Sequence, residues 1–264
     1  MRLRNARRSN IEIGEFYHRP GELDARVHDE DLRRVNRWSP RRFALLIHGW
    51  GVRVEAQAKS YGRLLDQIAR LDGDVASSLL TVSWPSKDFY RPALGVAAHA
   101  AMALQEKLCD SALPFERARE LIIIGHSMGC RVALELAKLL KQNRFRPEIR
   151  LFLMAPAVPV PLMGPGAALH EAAVRSERSV VYFSMTDQAF LVPFQVVESW
   201  AGPGQGLFPE AVGLRGRPER DVWTERCNMT GYLHGSYWKS DVVAAHIVRD
   251  FRRHEVRALP VRPA

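Results

Sequence analysis

At 264 residues, 47% hydrophobic and 25% charged, the chain suits one globular α/β domain with a sizeable core and is neither a disordered nor a fibrous sequence. Its net charge of +9 comes with no nucleic-acid-binding motif, so nucleic acid is not an expected partner, while an anionic lipid or membrane surface stays compatible with the charge. Cys109, Cys130 and Cys227 form no Cys-x-x-Cys pair, which excludes a disulfide framework or zinc ribbon. With no apolar signal core and no membrane-length apolar run, a cytoplasmic location is expected.

Residues 1–40 are charge-rich and weakly periodic apart from Ile11-Glu12-Ile13, and read as a basic N-terminal extension or as outer strands. The main domain is expected over 41–254, with a short tail at 255–264. Phe43 to Ile47 is a continuous apolar run, as in a strand buried on both faces, and ends in His48-Gly49-Trp50. Tyr61, Leu64, Leu65, Ile68 and Leu71 then fall at helical spacing. Ser78 to Ser83 reads as a second strand and Pro92 opens a helix towards Cys109.

Leu121 to Ile124 is a third strand, and Val132, Ala133, Leu136, Ala137 and Leu140 mark the following helix. Ile149 to Met154 and Val180 to Ser184 are two further strands. The segment between them, rich in Pro, Gly and Ala, is too short for a folded cap but long enough for a mobile flap. A glycine-rich loop leads to a last strand at Asp221 to Arg226. A closing helix carries Ala244, Ile247, Val248 and Phe251 on one face. This strand–helix rhythm predicts a mostly parallel central sheet with helices on both faces and no large cap domain.

The richest stretch is Gly125-His126-Ser127-Met128-Gly129, placed between a buried strand and a helix. That is the G-x-S-x-G spacing of a nucleophile elbow, where the chain turns sharply around one serine and glycines make room for neighbouring backbone. A serine hydroxyl needs a base to take its proton, so a histidine has to reach Ser127. Asp187 follows a strand and a short turn, and so stands at the sheet edge where catalytic groups collect. No Asp or Glu occurs between Arg150 and Glu171 to compete with it from the preceding strand, and Asp221 is its rival.

His48-Gly49-Trp50, the Gly125–Gly129 elbow and the downstream order Ser, Asp, His together resemble the alpha/beta hydrolase superfamily, over roughly residues 42–252. The segments Gly213-Leu214-Arg215 and His234-Gly235-Ser236-Tyr237 look similar to a poorly characterised bacterial branch with lidless, esterase-like character. The resemblance implies an alpha/beta-hydrolase fold with Ser127 as nucleophile, Asp187 as acid and His234 as base. It puts His234, in the loop before the last helix, at the base position, and has His48 and His126 orient loops. It also implies an oxyanion hole from the backbone N–H groups of Trp50 and Met128, with Gly51 as the fallback for Trp50.

Trp84 and Phe190 are expected substrate-binding residues, chosen from a set with Phe89, Tyr90, Tyr237 and Trp238. The implied activity is hydrolysis of a small-molecule carboxylic ester through an acyl-enzyme, with no metal or organic cofactor. Acyl transfer or lipase and phospholipase action on the same triad is the enzymatic alternative, and a non-catalytic binding protein on a hydrolase scaffold is the third. Haloalkane dehalogenase and epoxide hydrolase chemistry is disfavoured, because those relatives carry aspartate where this chain has Ser127. Nothing in the sequence specifies the oligomeric state.

Overall fold

Strands buried on both faces need helices above and below them, and the chain alternates to supply both. The computed structural model describes residues 26–27, 42–51, 54–84, 86, 90–109, 118–142, 147–191, 193–199, 208–218 and 222–257. Its strands are β1 (Arg26–Val27), β2 (Arg42–Ile47), β3 (Leu79–Ser83), β4 (Glu120–His126), β5 (Glu148–Met154), β6 (Arg178–Phe183) and β7 (Glu225–Asn228). They form one sheet in the order β1-β3-β2-β4-β5-β6-β7. The short β1 runs antiparallel to β3, and every other pair is parallel.

The helices are α1 (Val54–Leu71), α2 (Gly73–Ser77), α3 (Tyr90–Leu108), α4 (Gly129–Lys141), α5 (His170–Val174), α6 (Pro193–Ser199), α7 (Val212–Arg215) and α8 (Asp241–Arg257). Packing pairs α1 with α8 and α3 with α4, which covers the sheet on its two faces. The one-sided stripe of α1 delivers Tyr61, Leu64, Leu65 and Ile68 into the core. Within it, the Tyr61 hydroxyl reaches the carbonyls of Leu46 and Val82.

The last strand lies a few residues beyond its expected place. Ser179 and Thr224 exchange hydrogen bonds through their side chains, and the Ser179 hydroxyl also donates to the Val222 carbonyl. These bonds occupy the backbone ahead of residue 225, and the regular ladder starts only at Glu225. The expected flap between β5 and β6 is folded onto the domain. Its Val158, Met163, Leu169, Ala172 and Ala173 are buried, and Pro159 bridges to Ala211. Most of residues 1–40 and the end of the tail lie outside the described residues, as do Ile11-Glu12-Ile13, Phe89 and Asp221.

A chain of charged side chains links several strand starts to α8. Arg42 pairs bidentately with Glu120 at 2.8 and 2.9 Å, and Glu120 lies 3.8 Å from Arg150. Arg150 and Asp250, both buried, pair at 2.9 Å; Asp250 also meets Arg178 at 3.3 Å, and Arg178 pairs with Glu225. The opposite end of the sheet, where the parallel strands finish, is left to the functional groups.

Candidate active site

Ser127 stands between β4 and α4 with φ 54°, a left-handed conformation that an L-residue adopts only under constraint. The constraint is visible. Its N–H donates to the Met154 carbonyl at 2.9 Å, and its own carbonyl accepts from Cys130 and Ala157 at 3.1 Å each. The flanking glycines are needed for space. A Cβ on Gly125 would lie 2.8 Å from Cys130 Cα, and one on Gly129 would press on the carbonyl oxygens of His48 and Ile47, 2.5 Å from the latter. Close approach of α4 to the end of β2 is thus what brings the His48-Gly49 turn beside the serine.

The structure brings Ser127, His234 and Asp187 together. His234 Nε2 lies 2.9 Å from Ser127 Oγ, and His234 Nδ1 lies 2.8 Å from Asp187 Oδ2. Asp187 is fully buried, and its other oxygen accepts the Ala189 N–H at 3.1 Å. Its carboxylate therefore caps the short helical turn Gln188–Phe190 while facing the imidazole. The aspartate and histidine are 47 residues apart in sequence. The span is closed by a stitch that the sequence did not reveal. Ser184 Oγ donates to the Tyr232 carbonyl at 2.8 Å, and Gly231 N–H donates to Thr186 Oγ1 at 2.9 Å.

His126 and His48 both bond to backbone of the neighbouring loops. His126 Nε2 donates to the His234 carbonyl at 2.7 Å, and the two rings lie 4.9 Å apart. Burial, with the His234 imidazole close by, pushes the His126 imidazole down to about 3, so the ring is neutral with its proton on Nε2. Burial likewise lowers His48 to about 4. Its Nδ1 donates to the Gly49 carbonyl at 2.8 Å, and its Nε2 accepts the Trp84 N–H at 3.3 Å.

Trp84 and Phe190, expected as substrate-binding residues, are 4% and 1% exposed. Trp84 stacks on His48 at 5.6 Å and donates from its indole N–H to the His48 carbonyl at 2.8 Å. Phe190 meets the His234 ring edge-on at 5.1 Å. Of the expected oxyanion donors, Met128 is the N-cap of α4 and contributes no side-chain cap there. Trp50 follows Gly49, where an added Cβ would lie 2.8 Å from Ser127 Cβ. The fallback amide of Gly51 is committed to the Ser86 carbonyl at 2.7 Å.

The sequence profile described as the alpha/beta hydrolase family matches residues 44–262. The chain belongs to that family. No curated protein sequence matches it significantly. Among solved structures, an uncharacterized protein from Bacillus cereus is similar with a TM-score of 0.50 at 16% identity, covering 82% of this chain and 60% of that one. Carboxyl esterase 2 from the fungus Tuber melanosporum is similar with a TM-score of 0.48 at 14% identity, over 81% of this chain and 76% of that one. A hyperthermophilic esterase from Pyrobaculum calidifontis is similar with a TM-score of 0.44 at 15% identity, over 82% and 77%. Among the described residues, no helix is long and apolar enough to cross a membrane.

Proposed function

We propose that the protein is a serine hydrolase that cleaves carboxylic esters through an acyl-enzyme intermediate. The observation that carries this reading is the continuous relay from Ser127 Oγ through the His234 ring to Asp187, at 2.9 and 2.8 Å. Ser127 Oγ attacks the ester carbonyl as His234 Nε2 takes its proton. Asp187 holds the Nδ1–H tautomer and stabilises the imidazolium. The Met128 and Trp50 amides receive the oxyanion, a kind of contact worth about 3 kcal/mol of transition-state stabilisation each. His234 then protonates the leaving alcohol, and water, activated by the same ring, releases the acid.

The surroundings support an apolar ester of modest size. Trp50, Met185, Leu191 and Leu233 are exposed, and each stands within a few residues of Gly49, Asp187 or His234 in the chain. Trp84 and Phe190, being buried, act on the substrate mainly through the His48 turn and the His234 ring that they support. The folded segment between β5 and β6 adds no large cap over the site.

Hydrolysis of p-nitrophenyl esters of increasing acyl length tests the reading. Short and medium chains are expected to turn over, with activity abolished in Ser127→Ala. Turnover that survives this substitution would contradict the assignment.

A further inference from the structure

Outside the triad, the described residues contain one group that gathers thiol, imidazole and carboxylate donors: Glu225, Cys227 and His246, whose donor atoms lie within 4.8 Å of one another. The fold explains the meeting. Residues 225 and 227 are two apart on β7 and share one face of the sheet, and α8 carries His246 across that face. Tyr182 is the β6 partner of Cys227 in the ladder.

We propose that Glu225, Cys227 and His246 bind one divalent metal ion of the zinc class, independently of the ester chemistry. The donor set is one carboxylate oxygen, one thiolate sulfur and one imidazole nitrogen, which suits zinc with a solvent molecule as fourth ligand. Ligands around one tetrahedral zinc lie roughly 3.3–3.6 Å apart. Here Cys227 Sγ is 3.6 Å from Glu225 Oε1, and His246 Nε2 is 3.9 Å from the same oxygen. The sulfur stands 3.8 Å from the other ring nitrogen, His246 Nδ1, so closure onto a metal through Nε2 asks the imidazole and the thiol to turn towards Glu225 Oε1.

The surrounding groups orient the ligands. Tyr182 Oη is 3.1 Å from His246 Nδ1, a contact that fixes the ring and lets Nε2 present its lone pair towards Glu225. Arg178 takes Glu225 Oε2, so Oε1 is the oxygen turned to the cluster. Arg249, exposed and 3.9 Å from Oε1, is a competing cation with room to move into solvent. When the metal binds, the Cys227 S–H bond breaks, its proton passes to solvent and the sulfur bonds the ion.

Cys227 lies before His234 in the chain and His246 after it, 19 residues from Cys227. Binding thus ties the two ends of the segment that carries the proposed base, and stabilises it by closing that loop.

The test uses the full chain after chelator treatment. Titration with cobalt(II) is expected to produce a thiolate-to-cobalt absorption band that saturates at one ion per chain and is displaced by zinc. Cys227→Ser is expected to lose the band and to weaken zinc binding by more than roughly tenfold. Arg249→Gln, a surface change, is expected to bind zinc several-fold more tightly. Zinc is also expected to raise the melting temperature of the wild type but not that of Cys227→Ser. Absence of the band in folded wild type, or a band unchanged in Cys227→Ser, would overturn the proposal. Activity of the metal-free protein towards esters is read separately, so failure of the metal site leaves the triad assignment standing or falling by itself.

Discussion

Ser127 holds φ 54°, a conformation that costs an L-residue about 1–2 kcal/mol and is retained because its backbone is bonded on both sides. This predicts an inverted order of stabilities at one position. Ser127→Ala and Ser127→Gly both remove the hydroxyl, but only glycine releases the strain. The glycine variant is expected to be more stable than the alanine variant by about 1 kcal/mol in urea unfolding, whereas at an unstrained site alanine wins. Ser127 was legible in the sequence because glycines on both sides of a serine, after a buried strand, report a steric requirement. Asp187 was legible as a candidate from its place at the sheet edge, and His234 through the family resemblance, which puts the base in the loop before the last helix. What was not legible was the stitch of Ser184, Thr186, Gly231 and Tyr232, since hydroxyls that bond backbone across 45 or more residues leave no periodic trace. Glu225, Cys227 and His246 were hidden for the same reason: the fold, not a spaced motif, brings them together.

At the scale of elements, the site depends on how closely α4 approaches the end of β2. Gly129 is the contact point, and its missing side chain is what lets Gly49 lie against Ser127. Gly129→Ala is therefore expected to reduce ester turnover by at least tenfold while destabilising the domain by about 1–3 kcal/mol, although the residue carries no chemistry. Paired activity and urea measurements check this, and an alanine variant with normal values would show that the approach is not required. The buried strands were readable as apolar runs, since both faces of a parallel strand must be covered. The edges were less so. β7 starts late because side-chain bonds between Ser179 and Thr224 displace the ladder, and the segment after β5 folds down because its scattered apolar residues find the core.

Across the whole molecule, two buried neutral histidines tie stability to pH. His48 and His126 are lowered to about 4 and about 3, so below their ordinary value of 6.5 the unfolded chain binds protons that the folded one refuses. Their contribution is fully present above pH 6.5 and is lost as pH falls towards these lowered values. Each ring removes up to about 1.4 kcal/mol per pH unit in that window. Urea midpoints are expected to fall from pH 7 to pH 5, and the fall is expected to be shallower in His126→Gln. An unchanged slope in that variant would mean that His126 is not held neutral. The charged chain from Arg42 to Glu225 gives the strand starts a polar counterpart to this edge, with Arg150 and Asp250 paired at 2.9 Å where both are buried.

All of these scales converge on whether Ser127 is an activated nucleophile. A fluorophosphonate probe followed by intact-mass and peptide analysis measures this directly. One adduct per chain on Ser127, absent in Ser127→Ala and strongly slowed in a folded His234→Ala variant, is the expected result. Folded wild-type protein that stays unlabelled, or an adduct on another residue, would contradict the account.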